Sequence, residues 1–233
     1  VLTGTESGLG SFVKNNQGIA SQFQYEFHLK PYTAEQLLDL TELLLKKSYA
    51  LKLDTAAKEK LGRVYKQYFR DNPGEAISAN IAQKKSREIM DAVLRRDARA
   101  DMALEQDILG KEYVRKTTEE VMAEFDKYVG VDSIKEAVQK IINKLSMDAE
   151  REGVNAKREI KDLFLGNPGT GKTTIARLFA DVLNSIDVLP VGQLVEVSRQ
   201  DLVAQYVGQT APRVTEWVDK AMGGILFIDE AYT

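Results

Sequence analysis

Residues 166 to 173 read Gly-Asn-Pro-Gly-Thr-Gly-Lys-Thr, an order of residue types suited to binding phosphate. The glycines allow a tight backbone turn whose N–H groups point inward at a phosphate. Lys172 is then placed to reach the β- and γ-phosphates of a nucleotide, and the Thr173 hydroxyl to ligate Mg²⁺. An ordinary glycine-rich turn is the alternative, and the elements predicted on either side of the loop disfavour it. The predicted nucleotide-binding residues are Gly166, Asn167, Pro168, Gly169, Thr170, Gly171, Lys172, Thr173 and Thr174.

Two adjacent acids, Asp229 and Glu230, follow an apolar run at residues 224–228. Such a run is typical of a parallel strand buried on both faces, and open α/β sheets bind ligands at the carboxyl ends of their strands. Asp229 is predicted to hold Mg²⁺ through water, and Glu230 to activate the attacking water as general base, with Lys172 as the second catalytic residue. Without the phosphate loop, acids that cap a following helix or lie in solvent would be the better interpretation. Together the two motifs predict a nucleoside-triphosphate hydrolase.

The elements that must position these motifs alternate between strand and helix. Residues 161–165 are predicted as a buried strand before the loop, and residues 173–183 as the helix after it. The N-terminus of that helix adds a partial positive charge to the phosphate site. Residues 194–197 and 224–228 are predicted as further strands. This alternation is typical of an α/β fold with a three-layer parallel sheet.

The first half of the chain has a helical pattern instead. Thr33 opens a capping box, and leucines at helical spacing follow it. Asp54 is predicted to cap a second helix that runs to about residue 69. A third helical stretch is predicted at about residues 75–100, where the many charges are typical of a solvated helix face. These signals predict three successive helices.

Weaker patterns flank these helices. Residues 25–29 alternate apolar and polar side chains and are predicted as a strand, in which His28 has a structural role. Residues 103–115 have a mixed pattern and are predicted as a linker. Thr117 is predicted to cap the next helix and Ser133 the one after it, which runs to about residue 151.

Composition excludes several classes of function. The 233 residues include no cysteine and one histidine, which excludes disulfide scaffolds and thiolate metal sites and disfavours histidine-based chemistry. A formal net charge of −3 gives no electrostatic reason to expect nucleic-acid binding. No apolar stretch approaches the length of a membrane span. We expect a cytoplasmic location or another reducing compartment, with an organelle stroma or the nucleus open, and no membrane partner. The start on Val1 suggests a fragment.

Three segments resemble one family of ATPases. Residues 166–177, 201–212 and 223–232 are similar to the CbxX/CfqX-type AAA+ ATPases, the group that includes red-type Rubisco activase and stage V sporulation protein K. This resemblance implies ATP and Mg²⁺ as cofactors. It also implies a ring-forming homo-oligomer, a hexamer in similar proteins, that pulls a protein substrate through its central pore.

The resemblance assigns roles to residues that spacing alone does not explain. Tyr206, Val207 and Gly208 match the pore loop that grips the polypeptide, where Tyr206 offers a flat apolar face and Gly208 backbone freedom. A helix-terminating turn with a packed tyrosine is the alternative. Val129 and Gly130 match the position whose backbone contacts adenine, and a glycine turn between two helices is the alternative there.

The first half of the chain resembles a different part of the same family. Residues 1–30 are similar to the C-terminal end of an AAA+ core, and residues 31–103 to the helical lid that follows it. Residues 104–127 are then a linker and helix, and residues 128–233 the N-terminal part of a second core. The chain is thus predicted to be a slice of a tandem-module protein.

The upstream module departs from the family pattern. Ser21-Gln22-Phe23 stands where similar proteins have Ser-Arg-Phe, and glutamine cannot supply the fixed charge of an arginine finger. The Asn-Ala-Arg of the lid is absent near residues 82–84, where Lys84 is a weak substitute. We therefore expect the upstream module to be catalytically impaired or structural.

Two other functions compete with a protein-remodelling motor. In a nucleotide-gated scaffold, ATP binding would set the oligomeric state while the degenerate first module makes protein contacts. Glu230 favours the motor, whereas Gln22 indicates that the ring formed by at least one module does not hydrolyse ATP. A small-molecule or nucleoside kinase uses the same loop but does not explain the Tyr206 triplet or a helical lid.

Overall fold

Helices dominate the first half of the chain. The computed structural model describes residues 3, 4, 9, 12, 13, 16, 18, 23, 25, 27–75, 77–152, 160–203 and 210–231. Among them, helices α1 (Ala34–Tyr49), α2 (Thr55–Asp71) and α3 (Ala79–Arg96) pack into a bundle. A two-residue parallel pairing joins β1 (Lys52–Leu53) to β2 (Met102–Ala103). The three predicted helices are therefore present.

Local capping explains where these helices begin. The Thr33 hydroxyl accepts a hydrogen bond from the Gln36 N–H at 3.2 Å, and the Gln36 side chain accepts one from the Thr33 N–H at 3.0 Å. Asp54 accepts a hydrogen bond from the N–H of Ala57 at 2.5 Å at the start of α2. Both predicted caps are confirmed. Side chains on the inner faces of the helices, such as Leu37 and Leu61, are fully buried.

The second half contains the paired strands. Helices α4 (Thr118–Phe125) and α5 (Asp132–Glu152) precede α6 (Lys172–Ser185), and then come β3 (Leu194–Ser198), α7 (Arg199–Leu202), α8 (Thr210–Lys220) and β4 (Ile225–Asp229). Strands β3 and β4 are parallel, with Leu194 beside Ile225 and Ser198 beside Asp229. The capping box at Thr117 is confirmed.

Helices cover both faces of this strand pair. On one face, Ala176 of α6 packs with Leu194 and Phe227. On the other, Val195 packs with Ala221 at the end of α8. The described part of the chain therefore has the three layers of an α/β fold, with helix, parallel strands and helix in order.

The segment before the phosphate loop differs from the prediction. Residues 161–165 do not form a strand: Leu163 and Leu165 are 81% and 84% exposed, and only Phe164 is half-buried. A strand exists only through hydrogen bonds to a neighbour, and within the described residues β3 and β4 pair with each other. The prediction of a buried strand here is wrong.

Other predicted boundaries also need correction. Residues 25 and 27–29 form no strand, Phe27 and Leu29 are 85% and 96% exposed, and His28 is exposed, so the predicted structural role of His28 is not supported. Ser133 does not cap α5, because the N–H of Lys135 already bonds to the carbonyl of Val131 at 2.8 Å, and the helix begins at Asp132.

The predicted linker contains ordered structure. A 3-10 turn, Glu105–Asp107, follows β2, and the Asp107 carboxylate is buried. Arg96 at the end of α3 donates to both carboxylate oxygens at 3.0 and 3.1 Å from Nε. A buried ion pair thus closes the bundle where a plain linker was predicted.

Candidate active site

The phosphate loop turns tightly between residue 165 and helix α6. Gly169 and Gly171 have φ values of +77° and +84°, in the left-handed region that favours glycine. The Thr170 hydroxyl donates a hydrogen bond to the carbonyl of Asn167 at 2.8 Å, and its N–H donates to the same oxygen at 3.3 Å. These bonds hold the curled backbone that the motif predicts.

Helix α6 starts at the end of this loop. Gly171 is its N-cap, and no side chain of a described residue caps that end. The Gly171 carbonyl accepts the first helical hydrogen bond, from Ile175 at 2.9 Å. Uncapped N–H groups and the positive end of the helix dipole favour an anion at this position.

Lys172 brings a full positive charge to the loop. Its ammonium donates to the carbonyl oxygens of Gly166 and Asn167, both at 3.1 Å. The side chain is therefore folded over the loop and not extended into solvent. Loop N–H groups, a helix N-terminus and an ammonium together can bind the phosphates of a nucleotide.

Asp229 and Glu230 lie at the carboxyl end of β4. Asp229 is half-buried and pairs in register with Ser198, the last residue of β3. Its carboxylate accepts the N–H of Glu230 at 3.0 Å. Glu230 has a φ of +47°, a left-handed conformation that costs a non-glycine residue roughly 1–3 kcal/mol. Such strain is concentrated at functional sites.

Aromatic packing anchors both motifs to one point of the core. Phe164 lies just before the loop and Phe227 just before the acids, and their ring centroids are 6.1 Å apart. Phe164 also contacts Phe179 of α6, with ring centroids 6.3 Å apart. The loop, its helix and the acidic pair therefore share one aromatic cluster.

The donor groups suit Mg²⁺ held mainly by water and phosphate. Among the described residues, no group of three or more His, Cys, Asp or Glu side chains converges on a point. Magnesium keeps several waters and uses one or two protein ligands besides the phosphates of its nucleotide. Thr173, in the first turn of α6, and Asp229, at the end of β4, are the two predicted protein ligands.

The other predicted site residues lie away from the phosphate loop in the sequence, in a turn or outside the described residues. Val129 is fully exposed and Gly130 has a φ of +77°, in the turn between α4 and α5. Tyr206, Val207 and Gly208 lie outside the described residues. The described ranges contain no helix with the length and apolar character needed to cross a membrane.

Sequence reasoning missed a set of polar contacts behind the site. Arg70, Tyr113 and Arg115 bond to residues in and just after helix α6. Two of the three lie in the segment predicted as a linker. Their side chains follow no periodic pattern, so the sequence carries no signal that identifies them.

Part of the chain is similar to known proteins. Residues 163–233 match the model of the ATPase family associated with various cellular activities (AAA). Protein CbbX of Cereibacter sphaeroides is 41% identical over 128 residues, which cover 53% of this chain and 41% of that protein. The chloroplastic ribulose bisphosphate carboxylase/oxygenase activase of Cyanidioschyzon merolae is 39% identical over 128 residues, 53% of this chain and 44% of that protein.

A secretion-system protein is similar as well. ESX-1 secretion system protein EccA1 of Mycolicibacterium smegmatis is 40% identical over 117 residues, 49% of this chain and 20% of that protein. The chain thus spans less than half the length of each of these relatives. The resemblance to CbxX/CfqX-type AAA+ ATPases is confirmed.

Proposed function

We propose that this chain, whose residues 163–233 match the AAA ATPase family, hydrolyses ATP in order to remodel a protein partner. One observation carries the proposal. The phosphate loop and the acidic pair, the two halves of an ATPase site, extend from the same aromatic contact between Phe164 and Phe227.

The loop and helix α6 bind the phosphates. Backbone N–H groups in the first turn of α6, residues 172–174, bind phosphate oxygens, and Lys172 exchanges its two loop carbonyls for β- and γ-phosphate oxygens. Thr173 and Asp229 hold the metal, directly and through water. Mg²⁺ held there would supply positive charge that neutralises the transferred group.

Glu230 acts as the general base. Its carboxylate accepts a proton from the water whose oxygen bonds to the γ-phosphorus, while the bond from that phosphorus to the β–γ bridging oxygen breaks and ADP leaves. The strained backbone at Glu230 and its bond to Asp229 fix the direction in which the side chain leaves the strand. Val129 and Gly130 contact the adenine through their backbone.

The partner is a protein that passes through a ring of identical subunits, a hexamer. The Cyanidioschyzon merolae relative is named as an activase of an enzyme, which supports a protein as the substrate class. Tyr206, Val207 and Gly208 form the loop that grips this polypeptide. No nucleic acid takes part, and the compartment is reducing: the cytoplasm, an organelle stroma or the nucleus.

The chain comes from a tandem-module protein. Residues 1–30 and 31–103 are the core end and lid of one module, residues 104–127 a linker and helix, and residues 128–233 the nucleotide-binding part of the next.

A nucleotide-gated scaffold is the second candidate function. It is favoured by Gln22, which replaces the finger arginine of similar proteins.

Replacing Lys172 tests the ATP site. We expect Lys172→Ala to reduce ATP turnover at least about 100-fold, because a charge on the transferred phosphoryl group loses its partner. Lys140→Ala, at an exposed position of α5, is the matched control and keeps normal turnover. Equal turnover in all three proteins would overturn the proposal. Binding of ATP without turnover in the unmodified chain would favour the scaffold.

A further inference from the structure

Arg70 joins the helical bundle to the phosphate-loop helix. Its guanidinium, at the end of α2, forms an ion pair with Asp181 of α6 and donates to the carbonyl of Val191 at 3.0 Å. The guanidinium carbon also lies 5.2 Å from the centroid of the Tyr113 ring. One side chain thus contacts α6, the segment before β3 and the segment that follows the bundle.

Tyr113 and Arg115 hold the C-terminal end of the same helix. The Tyr113 hydroxyl hydrogen-bonds to the side chain of Asn184, which is only 2% exposed. Arg115 Nε donates to the backbone carbonyl of Asn184 at 2.9 Å, and its guanidinium reaches the Asp187 carboxylate at 2.6 Å. Cations and donors at a helix C-terminus satisfy its last carbonyls and complement its dipole.

Apolar packing continues across the same junction. Val191, which precedes β3, is 5% exposed and belongs to the core cluster of the helical bundle. Gly192 follows it with a φ of +73°, and a Cβ there would lie 2.7 Å from Asn184 and 3.2 Å from Arg70. The bundle and the α/β half therefore meet without space for a larger side chain.

A helix transmits displacement along its axis. Asp181 lies nine residues beyond Lys172, or roughly 14 Å at the rise of an α-helix. A tilt at the clamped end moves the phosphate loop at the other end, and displacements of about 1 Å already weaken catalytic geometry.

We propose that Arg70, Tyr113 and Arg115 are positioning residues that clamp helix α6, so that nucleotide binding at the loop is coupled to docking of the bundle on the α/β half. The coupling rests on the proposed function, since it requires nucleotide at the loop. It is reciprocal: a docked bundle tightens nucleotide binding, and bound nucleotide tightens docking.

The single tryptophan of the sequence reports on this junction. Trp217 of α8 donates to the carbonyl of Asp201 at 3.1 Å. A Cβ on Gly74, three residues after the end of the bundle helix α2, would lie 3.2 Å from the Trp217 ring. A change in docking therefore alters the surroundings of this indole.

Two mild variants of the full chain test the clamp. Arg70→Lys keeps the charge but lacks the planar fork that spans Asp181 and Val191. Tyr113→Phe removes only the hydroxyl that bonds to Asn184. Binding of Mg-ATP is measured by titration with a fluorescent ATP analogue, and Trp217 emission is recorded with and without nucleotide. Circular dichroism checks the fold.

We expect Mg-ATP to bind about five- to tenfold more weakly to each variant, with a smaller nucleotide-dependent change in Trp217 emission. Lys58→Ala is the control, because Lys58 lies on the same helix but forms an exposed ion pair with Glu42 of α1. It keeps the affinity of the unmodified chain.

Unchanged affinity in both variants would overturn the clamp. Should Arg70→Lys fail to fold, Tyr113→Phe decides alone. An unmodified chain that binds no Mg-ATP would instead overturn the proposed function, so the two failures are distinguishable.

Discussion

Single residues in unusual backbone conformations define the candidate site. Gly169 and Gly171 take positive φ values in the loop, and Glu230 does so at the end of β4. Neither glycine has a neighbouring atom within 4 Å of a Cβ placed on it. Glycine is therefore favoured at both positions by the backbone conformation and not by a lack of space for a side chain. The left-handed backbone of Glu230 costs free energy, and such strain is typical of residues whose side chain has a functional role.

Two glycine substitutions distinguish the effect of backbone conformation on stability from the effect of the space available for a Cβ. We expect Gly171→Ala to lower the free energy of unfolding by about 1–2 kcal/mol, since alanine is strained at a φ of +84°. Gly62→Ala, inside α2, should raise it by about 0.5–1 kcal/mol, because its Cβ meets only a Leu38 methyl at 3.8 Å. Urea denaturation measures both. A Gly171→Ala variant as stable as the unmodified chain would show that the loop backbone relaxes.

At the scale of elements, the sequence predicted helices better than strands. Thr33, Asp54 and Thr117 cap helices through bonds to residues three positions away, so the whole signal is local. A strand depends on a partner that local sequence does not reveal. Residues 25–29 and 161–165 both have apolar side chains at strand spacing, yet neither pairs within the described residues.

Although residues 161–165 form no strand, the side chain of Phe164 packs against the core, and a substitution can test this contact. Phe164→Ala should lower the free energy of unfolding by about 2–3 kcal/mol, because Phe164 contacts Phe179 and Phe227. Leu163→Ala is the control, and a side chain 81% exposed should change stability by less than about 0.5 kcal/mol. Equal effects of the two substitutions in chemical denaturation would show that the aromatic cluster does not anchor the loop.

The end of α3 depends on a buried ion pair that titrates with pH. Burial raises the pKa of the Asp107 carboxyl, but hydrogen bonds from Arg96 and the Leu104 N–H lower it more, so the net pKa lies below its ordinary value. A lowered folded-state pKa stabilises the fold above the unfolded pKa, and this contribution is lost as the pH falls through the folded pKa.

We expect Asp107→Asn to lower Tm at pH 7, with a difference from the unmodified chain that shrinks below about pH 4. Asp101→Asn, at an exposed position, is the control. Thermal melts between pH 3 and pH 7 measure the difference. A gap in Tm that stays constant across this range would contradict a role for the Asp107 charge.

At the scale of the whole molecule, the helical bundle and the α/β half are joined by contacts that no sequence motif predicts. The tight turn of residues 166–173 and the place of the two acids at the end of β4 follow from local sequence, because both motifs restrict residue types at fixed spacing. The roles of these residues stay predictions. Arg70, Tyr113 and Val191 meet only after folding brings together residues more than 40 positions apart. The tandem-module organisation stays a prediction.

Steady-state ATP turnover, measured across a series of protein concentrations, tests the central claim most directly. The unmodified chain is compared with Glu230→Gln, which keeps the loop and Lys172 but lacks the general base. We predict turnover per subunit that rises with concentration as subunits assemble, and its loss in Glu230→Gln while Mg-ATP still binds. Binding without turnover in either protein, at any concentration, would contradict an ATPase in this chain.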